Sequence, residues 1–235
     1  MQNLQLLGAS NTINVEVTTF TSAQEKFTTA ARVILENVSW QTFKALLADI
    51  GDNRACRFAY DQGILEIRMS LTEHEEPKIL IACFITTDSD ELEIEIRQLG
   101  ALLLEREDLN RAVEPDTCSY IQNESIVRGK NIDLQTDPPP DLVLESDYTS
   151  SSLNKFTLYA SLGVPELWRY CGKSLEVYQL IGEKYELRAQ SLAFPFLPIA
   201  DIPGFIEQSK IIGQRAAVGL FKTRIQEILQ ASGLQ

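Results

Sequence analysis

One stretch, Pro138 to Leu180, constrains this chain more than any other: PPPDLVLESDYTSSSLNKFTLYASLGVPELWRYCGKSLEVYQL. Pro138, Pro139 and Pro140 cannot donate to a sheet ladder, so a strand is expected to begin after them. Leu142, Val143 and Leu144 are the short apolar run of a strand covered on both faces. Alternation sets Asp141, Val143 and Glu145 on one face and Leu142, Leu144 and Ser146 on the other. Glu145 therefore points where an ionised carboxylate is costly unless a cation meets it.

Thr149, Ser150, Ser151 and Ser152 offer N-caps and Gly163 a stop, which predicts a helix over Leu153 to Leu162. Lys155 is its one charged residue and shares a face with Leu158, Tyr159 and Leu162. Either its stem covers apolar surface or its ammonium meets a buried acid, Glu145 foremost, as a structural pair. After Gly163, Val164 to Tyr170 reads as a strand, and Cys171, Gly172 and Lys173 turn into another over Leu175 to Leu180. Strand, helix and hairpin on one sheet make an α/β core. Trp168, Tyr159 and Tyr170 read as packing within it.

At 235 residues and 44% hydrophobic content, the chain is expected to form one domain over 33–206. An N-terminal extension over 1–32 carries the alternating Ile13, Val15 and Val17, and a helical segment follows over 207–235. Ser39 caps a helix whose apolar face is Trp40, Phe43, Leu46, Leu47 and Ile50, ended by Gly51. Arg54 to Tyr60 and Ile64 to Met69 predict a hairpin. Pro77 suits the first turn of a helix through Ile79, Leu80, Phe84 and Ile85. Leu92, Ile94 and Ile96 alternate as in a half-buried strand, and Ala101 to Leu104 reads as another. Val113 to Ile121 predicts one strand with Asp116 near its start, and 122–137 is a polar loop. Further strand is expected at Tyr185 to Leu187 and Leu192 to Phe196, with Pro195, Pro198 and Pro203 excluding helix there. Phe205 to Leu229 is amphipathic and interrupted by Gly213 and Gly219.

No apolar run is long enough to span a membrane, and residues 1–30 lack the pattern of a signal peptide, so a cytoplasmic protein is expected. Cys56, Cys83, Cys118 and Cys171 form no CxxC pair, which argues against a zinc ribbon or redox motif and for small buried thiols. With His74 the single histidine, multi-histidine metal sites are excluded. The net charge of −12 opposes a broad electrostatic grip on nucleic acid. Only a local basic groove or a metal-filled acidic site overcomes it.

Spacing sorts the carboxylates. Asp141 and Glu145 lie roughly 13 Å apart along one strand at about 3.3 Å per residue. Magnesium takes oxygens at about 2.1 Å, so Glu145 needs a partner from a neighbouring strand, and Asp116 is the choice. Asp116 also reads as a turn acceptor after Pro115. Asp141 is expected behind the site or as a hydrogen-bond acceptor where the strand starts.

Pro115-Asp116, then PDLVLE at 140–145, then Lys155 followed by YASLGVPELWRY, resembles the PD-(D/E)XK nuclease superfamily and more closely the Uma-two family of restriction-endonuclease-like proteins, over about 33–206. The resemblance implies an α/β, restriction-endonuclease-like mixed β-sheet flanked by helices. It implies a divalent metal, magnesium or else manganese, and hydrolysis of DNA phosphodiesters. Asp116 and Glu145 match the metal-binding acids, and Lys155 the lysine that steadies the attacking water or scissile phosphate. Asp147 stands where the parent motif has its lysine; the similar family moves that lysine to the following helix, where Lys155 lies. Some superfamily members add an acid from an early helix, and Glu73, Glu75 and Glu76 all stay open for it. Two functions remain in view: a magnesium-dependent endodeoxyribonuclease, with homodimerisation a way to cut both strands, and a catalytically silent interaction module on the same fold.

Overall fold

The computed structural model describes residues 6–8, 11–13, 15–19, 31–51, 54, 56–69, 72–146 and 153–233, with side chains described from Arg32 and, in the helix that starts at Thr72, from Glu76. The first elements are β1 (Leu6–Gly8), β2 (Asn11–Ile13), β3 (Val15–Thr19), β4 (Ala31–Leu35), α1 (Trp40–Ile50), β5 (Cys56–Asp61), β6 (Ile64–Met69) and α2 (Thr72–Leu92). Next come β7 (Arg97–Leu99), β8 (Leu104–Arg106), β9 (Arg111–Val113), β10 (Thr117–Tyr120), α3 (Glu124–Val127) and β11 (Leu142–Ser146). The last are α4 (Lys155–Ser161), β12 (Glu166–Tyr170), β13 (Leu175–Ile181), β14 (Lys184–Arg188), α5 (Ile202–Ile212) and α6 (Gln214–Ser232).

The strands β1 and β2 pair with each other, and the others form two six-stranded sheets. The first has the order β14-β13-β12-β11-β10-β7, and its one parallel pair, β11 and β12, is joined through α4. A parallel pair needs such a crossover, which is why the expected helix sits there. The second sheet, β3-β4-β6-β5-β9-β8, is antiparallel throughout. Its hairpin β5–β6 turns through Gln62 and Gly63, both at positive φ, as a tight two-residue connection demands.

Alternation along β11 divides the interior. Leu142 and Leu144 join Trp168, Tyr170 and Val177 against Leu80, Ile81 and Phe84 of α2 and Phe221 and Ile225 of α6. Val143 faces the other way, into Leu158 and Tyr159 of α4 and Ala59, Leu104 and Val113 of the second sheet. The far face of the second sheet carries Phe58, Tyr60 and Leu65 under Trp40 and Phe43 of α1, with the rings of Phe43 and Tyr60 stacked at 4.9 Å. The architecture is α/β, two sheets flanked by helices, as the resemblance implies. No helix among the described residues is long and apolar enough to cross a membrane.

Several boundaries depart from the sequence reading. Val113 to Ile121 is not one strand: Glu114 N–H bonds Phe58 O at 2.9 Å, Asp116 N–H bonds Leu144 O at 3.2 Å, and the chain passes from the second sheet to the first between them. Pro115 has no N–H to offer either ladder, which suits it to the crossing. Leu92, Ile94 and Ile96 are not a strand. The helix α2 runs to Leu92, Glu93 turns at φ 54°, and Ile94 and Ile96 pack on the core from an irregular segment. Pro77 lies inside α2 beyond its first turn, because burial of Leu80, Ile81, Phe84 and Ile85 outweighs the one backbone bond that proline removes. The strand expected at Ala101 to Leu104 is instead Leu104–Arg106.

Leu192 to Phe196 is a turn, gathered by the buried Glu166, which accepts from Ser191 Oγ at 2.6 Å, from Leu192 N–H and from Trp168 Nε1 at 2.5 Å. Pro203 is accommodated in the first turn of α5. Gly213, at φ 89°, separates α5 from α6, whereas Gly219 stays helical. The caps expected at Thr149 to Ser152 lie outside the described residues, and Asn154 caps α4 by accepting from Thr157 N–H at 3.3 Å.

The helix α2 also buries Asp88 completely, with no hydrogen-bond partner for either oxygen among the described residues. Burial, and then the charge of Glu91, pushes its carboxyl up to about 7. A folded-state pKa raised above the unfolded value means that stability present in acid is lost as pH rises towards 7. Asp88→Asn is therefore expected to be more stable than the native chain by roughly 2 kcal/mol above pH 7, with the gap closing towards pH 4. Urea unfolding at a series of pH values checks this, and a gap that ignores pH would contradict it.

Candidate active site

The register of β10 against β11 sets Thr117 opposite Leu144 and so brings Asp116, just before β10, beside Glu145. Cross-strand neighbours of this kind share a face. Ser146 fixes the first carboxylate: its N–H and its Oγ both donate to Asp116 Oδ2 at 2.7 Å. The helix α4 fixes the second. Lys155 and Tyr159 are four residues apart and therefore on one helical face. Lys155 Nζ lies 2.6 Å from Glu145 Oε2, and the Tyr159 hydroxyl donates to Oε1. Lys155 occupies the first helical position, set there by Asn154 rather than by a cap upstream of Leu153.

A fourth charge arrives from the other sheet. Arg68, on β6, places Nη2 3.1 Å from Asp116 Oδ1 and 3.6 Å from Glu145 Oε2. Two carboxylates and two cations are thus gathered where Asp116 is 8%, Glu145 4% and Lys155 8% exposed. Burial alone would raise the pKa of Asp116; the charges of Arg68 and Lys155 and the two bonds from Ser146 overcome it and hold the carboxyl below its ordinary value. Burial and the charge of Glu145 push the Tyr159 hydroxyl well above its ordinary value, so it remains a protonated donor.

The other expected residues are elsewhere. Asp141 starts β11 at the end away from Glu145, where it accepts from Ile121 N–H at 2.7 Å, Asn123 N–H at 3.1 Å and Asn123 Nδ2 at 2.8 Å. It thereby secures the turn after β10. Glu76 is exposed and accepts from Gln214 Nε2 at 3.0 Å. The side chains of Glu73, His74 and Glu75, and Asp147 altogether, lie outside the described residues. Sequence reasoning missed Arg68 and read Tyr159 as packing alone. The available signal was the spacing of Glu66 and Arg68, which places two charges on the inner face of a hairpin strand.

A model of the Uma2 family, described as "Putative restriction endonuclease", matches residues 40–206. The chain belongs to this family. The Uma2 match takes in every member of the cluster, from Arg68 to Tyr159, and ends within α5. No curated protein matches the chain.

Among the described residues no three His, Cys, Asp or Glu side chains group as a metal site. The donors do fit a hard divalent cation, because Asp116 Oδ1 and Glu145 Oε2 already share one cationic nitrogen between them.

Because Glu145 leans on Lys155, Lys155→Met is expected to destabilise the fold by roughly 3 kcal/mol, and combining it with Glu145→Gln to recover much of that loss. Urea unfolding of the two single variants and the double variant checks it; additive losses would mean that the two residues are not coupled.

Proposed function

We propose that this chain is a divalent-metal-dependent endonuclease that hydrolyses phosphodiester bonds in DNA. The observation that carries the reading is the opposition of Asp116 and Glu145 with Lys155 Nζ at 2.6 Å from the latter, inside a family described as "Putative restriction endonuclease". Asp116 and Glu145 would hold magnesium, or manganese in its place. When bound, the ion lowers the pKa of water and screens phosphate charge. Ser146 and Tyr159 keep the two carboxylates oriented, and ionised Asp116 needs no deprotonation before it takes a cation. Lys155 directs its ammonium at the same locus and stabilises negative charge on the phosphate as the bond breaks. Arg68 neutralises the carboxylates until a cation replaces it.

The four free thiols suit a reducing cytoplasm, and a homodimer with two sites would cut both strands of a duplex. Exposed Ile211, Ile212 and Leu220 on α5 and α6 supply apolar surface for it. Light scattering is expected to give twice the chain mass, and a monomer would remove the dimer.

A second reading, a silent interaction module, is favoured by one observation: each oxygen of Asp116 and Glu145 already faces a donor from the protein. Cleavage of supercoiled and linear DNA in magnesium or manganese separates the two. The native chain is expected to cut only with metal, and Asp116→Asn, Glu145→Gln and Lys155→Met to lose about 100-fold or more while staying folded by circular dichroism. A native chain that binds neither ion and cuts no DNA would establish the silent module.

A further inference from the structure

The second sheet carries a row of arginines that the cluster above uses only in part. In the ladder, Arg32 of β4 is the partner of Arg68 of β6, and Arg57 of β5 is the partner of Arg68 on the other side. Three guanidinium side chains therefore stand on one face, across three adjacent strands about 4.8 Å apart. Like charges set directly opposite each other in a sheet are destabilising, and this chain has acids in excess with which to separate them. Arg32 lies 3.9 Å from Glu66, and Arg68 meets Asp116 and Glu145. Arg57 has no ion pair or hydrogen bond among the described residues, and its Nε is buried without a partner. All three side chains keep partial access to solvent. Among the described side chains around the cluster, Arg32, Arg57, Arg68 and Lys155 stand against Glu66, Asp116 and Glu145.

The geometry points to this row as a phosphate track: Arg57, Arg68 and Arg32 hold successive backbone phosphates of a DNA strand and lead it to Asp116 and Glu145. The inference rests on the nuclease reading and adds to it where the substrate lies. Guanidinium groups bond phosphate oxygens in a fork, and phosphate contacts carry no sequence information, so the track binds without regard to sequence. It also meets the objection from overall acidity, because a short positive strip needs only the few phosphates that touch it.

Fluorescence anisotropy of a short labelled DNA duplex, and of its single strand, tests the track in calcium across a range of salt. Arg57→Gln is expected to bind about tenfold more weakly for every sequence tried, and to lower the slope of log affinity against log salt by about 0.7–0.9. Arg57→Lys, which keeps the charge, should restore most of that slope, and Lys184→Gln on the exposed β14 should leave binding unchanged. A native chain that binds and cuts DNA while Arg57→Gln matches it in affinity and slope would overturn the track and leave the nuclease reading standing. A native chain that neither binds nor cuts DNA would overturn both.

Discussion

Two carboxylates cannot both stay ionised when buried side by side unless cations are buried with them, and much of this structure is arranged to meet that condition. Glu145 belongs to β11 and Asp116 to the segment that enters the neighbouring strand of the same sheet, Lys155 to the helix that crosses over it, and Arg68 to the other sheet. Each charge is supplied by a different element, so the cluster exists only where all of them meet. Isolated in the interior, any one of them would cost several kcal/mol. Together they hold the junction of two sheets at one spacing, with Ser146 and Tyr159 taking the oxygens that the cations leave.

Local chemistry was legible in the sequence. The strand after the prolines, the Ser39 cap and the hairpin around Gln62-Gly63 rest on residues within a few positions of one another; the first two formed as read, and the hairpin formed with Asp61 in its first strand rather than in the turn. The opposition of Asp116 and Glu145 was also legible, because a carboxylate in an apolar strand demands a partner and the preceding strand offered one. What was not legible depended on distant contacts. Nothing near Val113 announces that its neighbours leave one sheet for another at Pro115. Leu92, Ile94 and Ile96 have the spacing of a strand, yet a segment lying along the core needs the same spacing. Arg68 has no mark of a role in the sequence until the two sheets are placed face to face.

The acidity of the chain and the basic row beside its buried acids are compatible because they act over different distances. Net charge sets a repulsive field felt beyond the surface and is screened within about 8–10 Å at moderate salt. A guanidinium in contact with a phosphate is not screened in that way. On the proposed reading, the acidic exterior discourages indiscriminate adhesion to nucleic acid, while the half-buried row engages only the few phosphates that touch it.

The crossing at Pro115 has a consequence for how the molecule comes to life. Arg68 is made by one sheet and the acids by the other, and the chain passes between the two sheets three times, the last time between Glu114 and Asp116. Neither sheet alone assembles the four charges, so the cluster forms only where both sheets are in place. The four charges are therefore complete only in a chain that has folded throughout, and a nascent or partly unfolded copy lacks the cluster.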